Sequence, residues 1–433
     1  MTPRRIDPVR APLEGEVRVP GDKSISHRYA LLGGMAEGTT RIRNFASSED
    51  CRATLSCIEA LGAGVVRNAS RVEVHSPGWR RFTAPSRTLD VQNSGTTIRL
   101  LSALLAAGRF SSRVQGDSSL NQRPMQRIME PLIRMGARIE ARDGGLPPLL
   151  IQGGRLTGIR YRLPIASAQV KSCVLLAGLM AEGETEVEET GPSRDHTERA
   201  LPFFGAPLIQ NGARLRVRGG ARLHGVDFRI PGDFSSALFF LVAGLLVPGS
   251  RIALRGVGVN PTRAGFLSLL EKAGIRVERS DATECNGEPV CDLQIHADPE
   301  VRRQFPSQIS GDWVARLIDE IPALAILGTS LERGFQVRDA QELRHKESDR
   351  IHSVVVNLRE LGVDVRELPD GFVIPPGSRV RGGKVRTFGD HRIAMAFALA
   401  GLVAENPVEL DDPDCVAVSY PDFFQHLEGV CRR

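Results

Sequence analysis

The sequence has little that would stack against nucleobases: three tyrosines and two tryptophans among 433 residues, and no run of more than two consecutive lysines or arginines. Nucleic-acid binders combine basic tracks with aromatic platforms, so this composition argues against a nucleic-acid partner. Long hydrophobic runs are also missing. The stretch LFFLVAGLLVPG from Leu238 is too short and too punctuated by Gly and Pro to span a bilayer, and the start MTPRRIDPVR lacks the apolar core of a signal segment. A cytoplasmic protein with no membrane partner is expected. The seven cysteines, an odd number, show neither C-x-x-C spacing nor paired histidines. They read as reduced, mostly structural thiols, with no metal site among them.

What is present is length, positive charge and repetition. A chain of 433 residues exceeds one ordinary core, so two domains are expected. The net charge of +5, without aromatic platforms or basic blocks, favours a local anion site. One pattern recurs at intervals of roughly 70 residues, longer than solenoid periods. It is a polar turn bearing Gly, Ser or Asp, followed by an Ala/Leu-rich segment: GDKSISHRYALLGGMAEGTT, QNSGTTIRLLSALLAAG, ASAQVKSCVLLAGLMAEGETEV, PGDFSSALFFLVAGLLVPGSRI, IDEIPALAILGTSLERG and FGDHRIAMAFALAGLVAENPV. Between most copies lies an amphipathic helix stopped by glycine and followed by a short alternating run, as in CIEALGAGVVR and NLRELGVDVRE. The glycine supplies a left-handed cap and the alternation a half-buried strand. Each unit therefore reads as strand, buried helix, strand, surface helix, strands, and the units divide into two α/β domains of three.

The first helix of each unit is apolar all round, and a Ser or Asp at its start, such as Ser94, Asp233 or Asp390, serves as an N-cap. Capping does not account for the cations at the same turns. Lys23, Arg28, Arg99, Arg123, Lys171, Arg194, Lys346, Arg350 and Arg392 gather where the helix dipole already disfavours positive charge. Amide donors and cations at one pole form an anion-binding centre, and this many cations suit two anionic groups. The carboxylates Asp319, Glu320, Glu347 and Asp349 open or flank apolar segments nearby in sequence; they read either as proton-transfer groups or as caps and ion pairs. His27 and His391 read as packing residues.

The strings PGDKSISHR, QNSGTTIRLL, SLNQRPMQRI, ASAQVKS, SRDHTE, DEIPALA, LRHKESDRI and GDHRIAM, in this order from about Pro20 to Phe424, resemble the 5-enolpyruvylshikimate-3-phosphate synthase family. The resemblance implies an α/β fold of two inverse α/β domains, each of three βαβαββ repeats, with an inter-domain active-site cleft. It places one domain at 20–230 and the other at 1–19 and 231–433. It implies no cofactor, and two small-molecule substrates, phosphoenolpyruvate and shikimate 3-phosphate; a monomer is expected. Carried over by position, Lys23, Gly95, Arg123, Gln169, Arg350 and Arg392 would bind phosphoenolpyruvate. Lys23, Ser24, Arg28, Ser167, Ala168, Gln169, Arg194, Asp319 and Lys346 would bind shikimate 3-phosphate. Asp319, Glu347, Lys346 and Lys23 would be catalytic.

Two positions depart from some members of the family: Ala168 stands where they have a second serine, and Val418 where they have a lysine. Both departures also occur in a branch sharing the NSGTTIR and RPM wording. Enolpyruvyl transfer to a UDP-sugar is the sister reading, but the segment from Asn93 to Met125 lacks the cysteine such enzymes are expected to carry. A basic repeat protein acting on nucleic acid is the reading of a different class.

Overall fold

The computed structural model describes residues 2–296 and 300–431. The chain forms two compact units: a central unit of Gly21–Ile230 with Glu284–Glu288, and a terminal unit made of the remaining described residues.

In the central unit one sheet orders its strands Leu89–Asp90, Ser111–Gln115, Leu146–Gln152 and Arg138–Arg142. The first pair is parallel and the other two are antiparallel. A parallel pair needs a crossover, and the Gly95–Ala107 helix supplies it. Arg160–Arg162, Glu184–Glu188, Arg214–Arg218 and Leu208–Asn211 repeat this order around the Ala168–Met180 helix. In the remaining sheet of this unit the strand parallel to Glu37–Arg43 is Asp227–Arg229, so the departing chain completes the sheet begun after the Lys23–Met35 helix.

The terminal unit follows the same plan. Glu14–Val17 lies parallel to Arg251–Gly258, and Gln308–Ile309 lies parallel to Phe335–Val337. The last sheet is three-stranded: Gly383–Val385 pairs with Val408–Leu410, and Arg4–Ile6 adds along its other edge. Six sheets among the described residues thus match the six sequence repeats.

The inner helices are buried because their sequences are apolar on every face. Phe234–Leu246 is buried at every position, and His391–Val403 and Gly95–Ala107 nearly so. Their starts are capped as the sequence predicts: Asp22, Ser94, Ser167, Asp233 and Asp390 each accept a bond from a first-turn amide. Each cap of this kind stabilises by roughly 1 kcal/mol. The Ile321–Gly328 helix differs, carrying Pro322 in its first turn and receiving no side-chain cap from Glu320. The outer helices end at glycine, as at Gly62 (φ +102°) and Gly362 (φ +84°), a conformation that costs other residues strain.

Each unit has its own hydrophobic core. In the central unit Tyr29 stacks on Phe228 with ring centroids 3.9 Å apart. The seven cysteines are free thiols. Among the described residues no helix is long and apolar enough to cross a membrane, and no cluster of potential ligands would hold a metal ion.

Candidate active site

In the central unit, side chains knit together the starts of the three inner helices. Arg28 donates from Nη2 to Ser172 Oγ (2.9 Å), from Nε to Thr197 Oγ1 (2.8 Å) and from Nη1 to the Ser24 carbonyl (2.9 Å). Arg99 Nη1 donates to Gln169 Oε1 (2.8 Å), and Gln169 Nε2 donates to Thr96 Oγ1 (3.0 Å). His27 Nδ1 lies 2.7 Å from Thr54 Oγ1, which in turn lies 2.6 Å from Thr97 Oγ1. The first turns of Lys23–Met35, Gly95–Ala107 and Ala168–Met180 therefore share one pole.

Positive charge collects at that pole. Lys23 Nζ donates to Asp50 Oδ2 at 2.7 Å, both groups being largely buried. Arg123 Nη2 is held by Asn93 Oδ1 (2.9 Å) and Ser119 Oγ (3.1 Å). At Gly95 an added Cβ would meet Arg99 Nη1 at 2.8 Å and Arg123 Nη1 at 3.6 Å, so glycine leaves room for both guanidinium tips over the helix start. Burial lowers the Arg28 pKa to about 10, with nearby Arg194 contributing in the same direction against the pull of Glu198 and Asp22. Ser167 Oγ caps its helix through Val170 N, and Ala168 opens that helix. His27 is fully buried, and burial, then Lys23 and Arg28, drive its pKa well below 6.5, which leaves it a neutral packing group.

One cation counted from sequence is not part of this pole's surplus. Lys171 is wholly buried, with Nζ 2.9 Å from Glu189 Oε1 and 2.5 Å from Glu198 Oε1. It is neutralised in the interior because two carboxylates 18 and 27 positions later fold back onto it.

The terminal unit builds a second pole with a different charge balance. Arg350, 1 % exposed, donates from Nε to Asp390 Oδ2 (2.8 Å) and from Nη2 to Asp390 Oδ1 (3.2 Å) and Glu347 Oε2 (2.6 Å). Its Nη1 lies 3.5 Å from Asp319 Oδ1. Arg392 Nη1 donates to the Asp319 carbonyl (2.9 Å), and its Nη2 lies 3.8 Å from Asp319 Oδ2. Lys346 closes the short Gln341–His345 turn beside these groups. Burial lowers its pKa from 10.5, opposed by Asp319 and assisted by Arg350. Carboxylates here are as abundant as cations, which suits proton movement better than simple anion capture.

Asp349 takes the capping role open to it in the sequence: it accepts from His352 N and pairs with Arg344 Nη1 (2.6 Å). Glu320 caps no helix, and the ion pair it forms is a buried one. It is 1 % exposed and bonds Ser235 Oγ, with Arg263 Nη1 at 3.2 Å. Asp50, Ser235 and Arg263 were not singled out from sequence. Ser235 lies at a repeat turn, whereas Asp50 and Arg263 carry no such signal, and the side-chain partners of all three lie tens of residues away.

Six repeated α/β units around buried inner helices form a fold that a solved enolpyruvyl transferase shares. The solved enolpyruvyl transferase NikO from Streptomyces tendae shares it with a TM-score of 0.78 over 98% of this chain and 96% of that one, at 19% identity, a likeness of fold alone. Narrower comparisons agree on one family. The family model for EPSP synthase (3-phosphoshikimate 1-carboxyvinyltransferase) matches residues 9–427. The 3-phosphoshikimate 1-carboxyvinyltransferase of Solibacter usitatus (strain Ellin6076) is 48% identical over 427 residues, 99% of each chain. That of Bacillus velezensis is 46% identical over 97% of this chain and 98% of the relative. The EPSP synthase structure from Acinetobacter baumannii superposes with a TM-score of 0.85 at 39% identity, covering 98% of this chain and 97% of that chain. The chain belongs to the EPSP synthase family and is an enolpyruvyl transferase.

Proposed function

We propose that the chain transfers the enolpyruvyl group of phosphoenolpyruvate to the 5-hydroxyl of shikimate 3-phosphate by addition and elimination, releasing phosphate, and that its two poles divide the work. Family membership supports the reaction. The product serves chorismate and aromatic amino-acid biosynthesis, and the enzyme works as a cytoplasmic monomer without a cofactor.

The cationic pole of the central unit suits a phosphorylated acid. Lys23, Ser24, Arg28, Ser167, Ala168, Gln169 and Arg194 hold shikimate 3-phosphate, while Gly95, Arg123 and Gln169 meet phosphoenolpyruvate. Guanidinium groups there already have their planes fixed by Ser172, Thr197, Asn93 and Ser119, so little side-chain entropy is lost on binding.

The terminal unit supplies the proton chemistry. Asp319, held between Arg350 and Arg392, takes the proton from the attacking 5-hydroxyl. Lys346, made a stronger acid by burial, gives a proton to the methylene carbon, and the resulting cationic centre accepts the hydroxyl oxygen. The tetrahedral adduct then returns a proton from its methyl group to Glu347 or Lys346 and expels phosphate. Arg350 and Arg392 stabilise the leaving charge, together with Lys23 and Arg123.

The observation that carries this reading is the placement of one carboxylate, Asp319, against two arginines and beside a lysine of lowered pKa. The test is phosphate release with both substrates, with each alone, and with a UDP-sugar in place of shikimate 3-phosphate. Release is expected only when both named substrates are present. Release with the UDP-sugar instead would overturn the acceptor, and salt-sensitive oligonucleotide binding without turnover would overturn the class.

A further inference from the structure

Glu320 follows Asp319 directly, yet it faces the interior of the terminal unit and serves no cap. Its Oε1 is the meeting point of a buried network. Ser235 Oγ donates to it, and Arg263 Nη1 approaches at 3.2 Å. Arg263 Nη2 donates to the same Ser235 Oγ and lies 3.3 Å from Asp233 Oδ1. All four residues are at most 6% exposed.

This network reaches the reacting pole through Ser235. The serine hydroxyl lies 3.4 Å from Arg392 Nη1, and that same Nη1 donates to the Asp319 carbonyl at 2.9 Å. One guanidinium nitrogen is thus shared between the serine and the peptide that joins Asp319 to Glu320. The serine stands in the first turn of Phe234–Leu246, and Arg392 in the first turn of His391–Val403. Ile321–Gly328 begins directly after Glu320. Three inner helices meet at this hydroxyl.

We propose that Ser235, Glu320 and Arg263 are positioning residues for the transfer reaction. Ser235 sets the guanidinium of Arg392, and Glu320, locked by Arg263, sets the main chain that presents the Asp319 carboxylate. Neither Glu320 nor Arg263 touches substrate. The buried ion pair fixes an orientation; as a net source of stability such a pair is weak compared with apolar packing. The hydroxyl of Ser235 is required because it both accepts from Arg263 and donates to Glu320, which no apolar side chain of that size can do.

The inference rests on the proposed reaction, so wild-type turnover with phosphoenolpyruvate and shikimate 3-phosphate is measured first and judges that reading alone. Ser235→Ala is then compared with Ser250→Ala, which removes another buried hydroxyl of the same unit, one that accepts from Leu13 N at 2.9 Å. Ser235→Ala is expected to raise KM for phosphoenolpyruvate by roughly tenfold or more, the loss of a hydrogen bond to a charged group, with a smaller change for shikimate 3-phosphate. Ser250→Ala is expected to leave both KM values unchanged. Ser235→Thr, which keeps the hydroxyl, is expected to recover most of the loss. Glu320→Gln is expected to lower kcat by about tenfold or more, because its effect falls on Asp319, with KM for phosphoenolpyruvate moving less. The proposal is overturned if Ser235→Ala moves both KM values equally, if it matches Ser250→Ala, or if Glu320→Gln keeps wild-type kcat. Should Ser235→Ala not fold, Glu320→Gln alone decides.

Discussion

Replacing Asp390 by asparagine probes a buried ion pair of the terminal unit. Asp390 has no exposed surface and accepts from Arg350 twice (2.8 and 3.2 Å), from Ser348 Oγ (3.0 Å) and from the Arg392 amide (2.9 Å). Asparagine keeps the shape and the helix cap but removes the charge. Breaking a buried ion pair commonly costs about 3–5 kcal/mol, while losing a charge-assisted hydrogen bond costs about 1.5–3. Arg350 retains Glu347 at 2.6 Å and Asp319 at 3.5 Å, so its charge is not abandoned. The lower range applies, and about 2–3 kcal/mol of unfolding free energy should be lost at pH 7.

The pH dependence has a definite sign. Burial pushes the Asp390 carboxyl upward, but the charge and hydrogen bond of Arg350, together with His391, bring the group below its ordinary 3.8. A depressed folded pKa stabilises above the unfolded value and loses that contribution as pH falls through the folded one. The gap between wild type and Asp390→Asn should therefore be full at neutral pH and shrink as the medium is acidified below about pH 4. Urea unfolding of both proteins at pH 7 and near pH 3 measures this. A gap under about 1 kcal/mol at pH 7, or one unaltered by acid, would show that the Asp390 charge does not hold Arg350 in this way.

Other perturbations separate binding from structure. Lys23→Ala should abolish phosphate release while circular dichroism remains native; unchanged turnover would remove Lys23 from the site. Lys171→Met leaves buried Glu198 and half-buried Glu189 without their cation and should cost roughly 3–5 kcal/mol in urea unfolding; a neutral outcome would contradict the internal ion cluster. If Lys346 acts as the acid, kcat should fall as pH rises through its lowered pKa, placing the basic limb below 10.5. Lys346→Arg, which stays protonated, should displace that limb, and a limb left in place would assign it to another group.

Much of the fold was legible because its signals are local. The recurring polar turn and apolar segment marked all six inner helices, and Asp22, Ser94 and Asp233 cap three of them through bonds spanning two or three residues. Glycines after the outer helices, as at Gly62, likewise act within one turn. The side-chain economy of the two poles was not local. Lys171 reads as one more cation until Glu189 and Glu198 return to it, and Glu320 pairs with Arg263 across 57 positions. Asp390 reads as a cap and is one, yet its larger partner, Arg350, lies 40 positions earlier. Caps leave a pattern within one helical turn; ion pairs between repeats depend on how helix starts are brought together, which no single repeat encodes.

In this mechanism protons move onto and off the methylene carbon of phosphoenolpyruvate, and running the reaction in D2O makes that movement visible. Protonation makes that carbon a methyl group carrying one deuteron, and elimination then removes any of its hydrogens. Proton NMR of the product should show deuterium in the enolpyruvyl methylene. A product whose methylene keeps both original protons would contradict the account, because the group would have moved without the acid and base assigned to Lys346 and Glu347.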